Sequence, residues 1–286
     1  MRRLSRHFAP YLLSLPSWAY LAVFFVIPLG SMLGLALATG DPLDGYAASD
    51  NFSEFSLGFS QYHAEFVRSF FYGAVSTVIT LVIAYPVAYW IAFYGGRNKS
   101  TYLFLLVLPF FVTFVIRVLA WEFILSDQGF VLGTLKSLGL IPQTTHILST
   151  QWAVIGGLVY NSLAYYVMPL YVALEKIDRR LVRAANDLYA TPSVAFTRVI
   201  IPLSAPGIFA GFLLVFVTNV GDFVNAYILG GPGTYMIGNV IQDSFFDNQD
   251  YPLAAALSSM LMFLLMVAIF LYAKTFGTDT IQDYAA

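Results

Sequence analysis

The sequence predicts an all-α integral membrane protein with six transmembrane helices and both termini cytoplasmic. Three observations carry this. Only 10% of the 286 residues are charged and 59% are hydrophobic, where a soluble domain carries about 25% charged residues. Fourteen Lys and Arg with 16 Asp and Glu cannot build the charged shell that keeps a chain of this length dispersed in water. Six apolar runs each reach the roughly 20 residues needed to cross a bilayer core about 30 Å thick.

The first run, Pro16 to Thr39, follows Arg2, Arg3 and Arg6. A cleaved secretory signal ending near Leu37-Ala38-Thr39-Gly40 is the alternative reading. Such signals have apolar stretches of roughly 7 to 15 residues, and five more runs follow, so the run is taken as a retained span. The second, Phe66 to Tyr94, is long enough to tilt or to kink at Pro86. The third, Thr101 to Leu125, and the fourth, Gln151 to Leu174, contain Pro109 and Pro169. Neighbouring helices must satisfy the carbonyls these prolines free. Pro206 to Leu229 and Tyr251 to Ala273 complete the set.

Orientation follows from the retention of Lys and Arg on the cytoplasmic side. With the N-terminus inside, the cytoplasmic segments hold 11 of the 14 basic residues: Arg2, Arg3, Arg6, Arg97, Lys99, Lys176, Arg179, Arg180, Arg183, Arg198 and Lys274. The outer segments hold Lys136 and Arg68 against nine acids: Asp41, Asp44, Asp50, Glu54, Glu65, Asp127, Asp243, Asp247 and Asp250. No repeat or linker divides the chain, so residues 1–286 read as one membrane domain. The loops after spans one, three and five have room for short surface helices.

Enzyme signatures are missing. With zero cysteines, thiolate chemistry and disulfides are excluded. His7, His63 and His146 fall in separate loops without metal-ligand spacing. There is no Gly-x-x-x-x-Gly-Lys-Ser/Thr run, so the chain is not itself an ATPase.

The connection between spans four and five, Glu175 to Ala205, reads as two short amphipathic helices. Asp178 is placed to cap the first, with Leu181, Ala184, Ala185 and Leu188 on one face and Arg179, Arg180, Arg183 and Asp187 around it. Thr191-Pro192 starts the second, which carries Phe196, Val199 and Ile200; Pro202 and Pro206 end it and open span five. On composition this pair suits docking into a cleft on a cytoplasmic partner, or lying in the headgroup layer with its arginines on anionic lipid.

Arg183-Ala184-Ala185-Asn186-Asp187-Leu188-Tyr189-Ala190-Thr191-Pro192, then Phe196 to Leu203 and Pro206-Gly207-Ile208, resembles the EAA loop of type I ABC importer permeases. That loop has a Glu-Ala-Ala triplet, a Gly four residues after the last Ala, and a later Ile-x-Leu-Pro element. Here the two alanines, the Asp-Leu pair, the Ala-x-Pro and the terminal proline match, while Arg183 stands at the Glu and Tyr189 at the Gly. Asn219-Val220-Gly221-Asp222-Phe223-Val224, Leu229-Gly230-Gly231-Pro232-Gly233-Thr234 and Met236 to Gln242 resemble the spermidine/putrescine permease branch. Physically, the glycines permit a sharp turn and close approach of another chain. The apolar stripe Met236, Ile237, Val240, Ile241 and Phe245 suits a helix at the outer surface or a packed lid.

The resemblance implies the type I importer permease fold in the bacterial cytoplasmic (inner) membrane. It makes Arg183, Ala184, Ala185, Asp187, Leu188, Tyr189, Ala190 and Pro202 the positions coupled to an ATPase. It implies no cofactor in this chain, ATP and Mg belonging to the partner. The implied partners are a second, homologous permease, two cytoplasmic ABC ATPase subunits, an extracytoplasmic substrate-binding protein and membrane lipid; no nucleic acid is among them. The expected cargo is a polyamine such as spermidine or putrescine. A permease for another small solute and a stand-alone secondary transporter are the alternatives.

Ionisable residues inside spans are costly and therefore functional candidates. Three occur: Arg117, Glu122 and Asp222. In one reading Asp222, with Asn219 and Glu122, lines a cation pathway. In the other, Arg117 pairs with Asp222 or Glu122 and holds two helices together.

Overall fold

The computed structural model describes residues 14–41, 45–47, 49 and 52–276. Arg2, Arg3, Arg6, Asp44, Asp50 and both termini, on which part of the expected orientation rests, lie outside the described residues.

In chain order, helix α1 (Ser14–Ala36) has a π turn at Ala22–Val26. Strands β1 (Thr39–Asp41) and β2 (Gly45–Ala47) pair antiparallel. Helix α2 runs Ser53–Tyr94, α3 Lys99–Val107, α4 Phe114–Leu125 and α5 Phe130–Ser137. Then follow α6 (Gln151–Glu175), α7 (Arg179–Asp187), α8 (Pro192–Val220), α9 (Val224–Leu229), α10 (Ile237–Gln242) and α11 (Tyr251–Phe276). Helices α1, α2, α6, α8 and α11 are each long and apolar enough to cross a membrane.

Three predicted boundaries shift, each for a local reason. The third span is not one helix. Its two parts are bent by 88° at Val112 and Thr113, whose extended backbone (ψ 135° and 142°) ends the ladder after a 3-10 turn carrying Pro109. The six expected spans thus correspond to five continuous helices and one bent pair, a broken span or a re-entrant loop. Span two begins earlier, at Ser53, because polar residues ended the apolar run before the helix ended; Tyr62 (φ −113°, ψ 16°) interrupts it. Span five also begins earlier. Pro202 and Pro206 do not separate a second loop helix from it, and α8 runs through both. A π turn at Phe196–Ile200, closed by the Ile201 N–H on the Phe196 carbonyl, widens the helix just where Pro202 withholds its own N–H.

The chain divides into two compact units, Met1–His63 with Ile241–Met262, and Ala64–Val240 with Phe263–Ala286. In the first, Met32, Leu35, Ala36, Phe55, Ala255 and Ala256 form an apolar cluster, and the Tyr46 hydroxyl donates to the Gln249 carbonyl at 2.9 Å. The second is built around α6 and α8. Ala84, Ala88, Tyr166, Val167, Leu170, Leu174, Ile200 and Val215 are its buried centre. The two helices approach closely because Gly207 and Gly211 face Ala173 and Tyr166, where a Cβ would collide. Lipid is as apolar as leucine, so such small-residue contacts, rather than hydrophobic burial, draw spans together.

Candidate functional site

Helix α7 has nine residues, too few to be stable alone in water. Its ends and one anchor hold it. Asp178 Oδ1 accepts the Arg180 N–H at 2.9 Å. At the other end the Ala190 N–H reaches back to the Ala185 carbonyl at 3.0 Å, a Schellman closure that requires a left-handed residue just after the helix. That residue is Tyr189, at φ 61°. The glycine expected here by resemblance thus has a backbone reason, and this chain meets the conformation with tyrosine. Arg179 is the anchor: its Nη2 donates to the Ala92 carbonyl at 3.0 Å, and its guanidinium lies 5.6 Å from the Phe93 ring centre. Val182 packs on the α6–α8 core.

This leaves Leu181, Arg183, Ala184, Asp187, Leu188 and Tyr189 facing outward, Leu188 81% and Tyr189 97% exposed. Ala185 and Ala190 are half-buried, and Pro202 sits within α8. Thr191 caps α8 by accepting the Val194 N–H at 3.4 Å. Next to this region Lys99 Nζ meets both oxygens of Glu175, at 2.7 and 2.8 Å, tying α3 to the end of α6.

Inside the spans the structure joins polar residues in a seam. Asn219 of α8 is buried; its Nδ2 donates to Ser76 Oγ of α2 at 2.9 Å and its Oδ1 accepts from Ser162 Oγ of α6 at 2.5 Å. One amide therefore links three spans. On the residue before Ser162, Asn161 Nδ2 donates to Asn225 Oδ1 at 3.2 Å. Asn225 in turn donates its backbone N–H to Asp222 Oδ1 at 2.8 Å and its side-chain N–H to Oδ2 at 3.1 Å. Asp222 lies not within a helix but in the break between α8 and α9, half-buried, as the turn that starts α9. Ser76, Ser162, Asn161 and Asn225 escape a sequence reading that searches spans for charge alone. The signal that finds them is an amide or hydroxyl recurring inside otherwise apolar runs.

The start of the segment after α9 is packed inward, while Phe245 further along the same stripe is exposed. Met236 and Ile237 are fully buried. The Ile237 N–H donates to Ser69 Oγ at 2.7 Å, Arg68 Nη1 donates to the Tyr235 carbonyl at 2.6 Å, and Asn239 Nδ2 to the Phe223 carbonyl at 2.8 Å. Gly230 and Gly238 serve close approach. A Cβ on Gly238 would stand 3.0 Å from the Asp222 carbonyl oxygen.

The expected pairing of Arg117 is not made. Among the described residues neither Asp222 nor Glu122 forms an ion pair with it. Arg117 is 8% exposed and lies over the Phe110 and Phe114 rings, 4.5 and 5.8 Å from their centres. Glu122, half-buried on the same helix, stands five residues further on, off the i+3 and i+4 positions that meet.

Helical spans stitched by small-residue contacts and a buried polar seam, with an amphipathic helix projecting outside them, define a multi-pass membrane transport subunit. The chain belongs to the family of binding-protein-dependent transport system inner membrane components, whose profile matches residues 64–276. It is 36% identical over 258 residues to the spermidine/putrescine transport system permease protein PotB of Haemophilus influenzae, covering 90% of each chain. To PotB of Escherichia coli it is 39% identical over 198 residues, 69% of this chain and 72% of that one. In fold it matches a bacterial ABC transporter for import of the acidic polysaccharide alginate, with TM-score 0.71, 20% identity and 96% of each chain covered. The protein is accordingly a permease of the inner membrane.

Proposed function

We propose that this permease forms the membrane path of an ATP-driven importer for polyamines such as spermidine and putrescine. The observation that carries this is relatedness over nine-tenths of the chain to a spermidine/putrescine permease. A stand-alone secondary carrier is not favoured, because the family is defined by dependence on a binding protein.

The working complex holds this chain, a second homologous permease, two cytoplasmic ATPase subunits and an extracytoplasmic binding protein. An alginate importer has been seen with its ligand-loaded periplasmic protein, which supports that last partner. Helix α7 faces the cytoplasm and enters a cleft on the ATPase through Ala184, Leu188 and Tyr189. ATP and Mg act there, not in this chain. The basic flank of α7 and the Lys99–Glu175 pair at its base transmit displacement into α6 and α8, and hence into the seam.

Cargo charge fits the path. Asp222, at the break between α8 and α9, offers a carboxylate in low dielectric where one cation is strongly favoured. Asn219 supports it by fixing α8 against α2 and α6. Acids in the outer loops raise the local concentration of cations before entry. The test is ATP-dependent spermidine uptake into proteoliposomes holding the whole complex and its binding protein. Uptake of labelled spermidine competed by putrescine is expected; uptake of another solute with no polyamine transport would reject the substrate.

A further inference from the structure

Two connections lead out of helix α7. The covalent one, residues 188–191, enters α8 where that helix has the fewest ladder bonds. The π turn at Phe196–Ile200 is closed by the Ile201 N–H on the Phe196 carbonyl. Pro202 and Pro206, which follow inside the same helix, have no N–H to donate. Helices bend first at such interruptions. A push arriving along the chain from α7 would therefore be absorbed here before it reached the seam at Asn219.

Helix α2 supplies the second connection, and its last turns reach both sides of the weak stretch. Arg179 of α7 donates to the Ala92 carbonyl at 3.0 Å and lies 5.6 Å from the Phe93 ring centre. Phe93 stacks on Tyr89, with ring centres 4.7 Å apart. Tyr89 and Tyr85 both pack edge to face on Phe196, the first residue of the π turn, at 5.7 and 5.5 Å. The Tyr85 hydroxyl also meets Ser204 Oγ at 2.9 Å, beyond the π turn and Pro202. Tyr85 thus touches α8 before and after the stretch most ready to bend. Tyr85, Tyr89 and Phe93 stand four residues apart, the spacing that stacks side chains on one helix face.

We propose that Tyr85, Tyr89 and Phe93 are positioning residues for coupling: they splint α7 to the π turn, so that displacement of α7 moves α2 and α8 together instead of bending α8. This rests on the reading of α7 as the ATPase-coupled helix. It adds α2 to the elements that carry the stroke. Without the splint the ATPase still docks and hydrolyses ATP, but the movement is spent in the π turn. The three rings are half-buried at the margin of the α6–α8 core, not at its centre, so leucine in their place keeps the core apolar and removes the ladder.

The test reads labelled spermidine taken up per ATP hydrolysed by the whole complex in proteoliposomes. Tyr89→Leu and Phe93→Leu should each lower that ratio by about threefold to tenfold, with the ATPase co-isolated at the parent level and hydrolysis retained. Tyr89→Phe, which keeps the ring, should stay near the parent. A parent ratio in both leucine variants overturns the splint. Because the chain has no cysteine, Tyr89→Cys combined with Phe196→Cys gives a second measurement. That pair should have a low ratio, and bridging its thiols with a short bifunctional reagent should restore it; a bridged pair whose ratio stays low overturns the splint as well. If Ala184→Asp leaves both stimulated hydrolysis and the ratio at parent values, the coupling reading of α7 itself falls.

Discussion

Helix α7 and the seam around Asn219 solve opposite problems in one chain. The seam places amides and hydroxyls where the surroundings are lipid, and closes them on one another: Ser76, Asn219 and Ser162 leave no hydrogen-bonding atom of the Asn219 side chain unmet. Helix α7 places Leu188 and Tyr189 where the surroundings are water and leaves them bare. Around Asn219 the first arrangement is complete within the chain, whereas Asn161 Oδ1, on the residue before Ser162, is buried without a partner. The second is what the proposed docking to an ATPase would use, since exposed apolar groups clustered on a short helix suit an interface. On that reading, incompleteness at the surface locates the partner-facing side, and closure around Asn219 the internal scaffold.

That contrast is broken most directly at Ala184, which faces outward and supports nothing inside. Ala184→Asp puts an unpaired charge into the docking cleft, a cost of several kcal/mol, so ATP hydrolysis stimulated by loaded binding protein should fall by more than about tenfold. The chain itself should reach the membrane at its normal level. Stimulated hydrolysis at the parent rate would mean that α7 is not the contact. Asp222→Asn ranks next. It keeps an acceptor for the Asn225 backbone N–H but removes the negative charge, and spermidine uptake should drop several-fold with the complex still assembled; undiminished uptake removes Asp222 from the path.

Much of this was legible in the sequence, and the exceptions share a cause. Spans one, four and six lie within a few residues of their apolar runs, since hydropathy alone bounds a helix that starts and stops at the membrane edge. Span five does not, because Pro192 to Ala205 reads as a separate helix until the π turn at Phe196–Ile200 is seen to absorb Pro202. Span three fails differently. Its composition is continuous, and the 88° bend depends on two extended residues, Val112 and Thr113, that carry no breaker signal of their own. For the site, helix α7 and its Asp178 cap were readable in the sequence, while its coupling role rests on the resemblance and stays a proposal. The seam was not readable, since which Asn meets which Ser is set by contacts across 57 and 143 residues of chain.

The scaffold half of the comparison is sharpened by Asn219→Leu. It removes two hydrogen bonds and strands the Ser162 hydroxyl. Hydrogen bonds between spans contribute about 0.6 kcal/mol each on average, while an unmet buried hydroxyl costs about 1–3 kcal/mol. The expected loss is therefore about 2–4 kcal/mol of stability, read as a lower unfolding midpoint in detergent. Coupled hydrolysis per folded complex should be little changed. Pairing the substitution with Ser162→Ala should recover part of the loss, since the stranded donor is gone; strictly additive losses would show that the two side chains do not interact.

The smallest effect separates backbone from side chain at Tyr189. A non-glycine residue at φ 61° costs about 1 kcal/mol relative to glycine, offset in part by the greater freedom glycine gives the unfolded chain. Tyr189→Gly should thus raise the melting temperature of the isolated chain slightly, and Tyr189→Ala, which keeps the strain, should not. If the exposed ring is part of the docking surface, both variants should weaken ATPase binding by similar factors despite their different melting temperatures. A tyrosine kept where glycine is cheaper is then explained by what the ring touches in the complex. Equal melting temperatures with unequal ATPase binding would reverse that assignment, making the backbone turn rather than the ring the feature the partner reads.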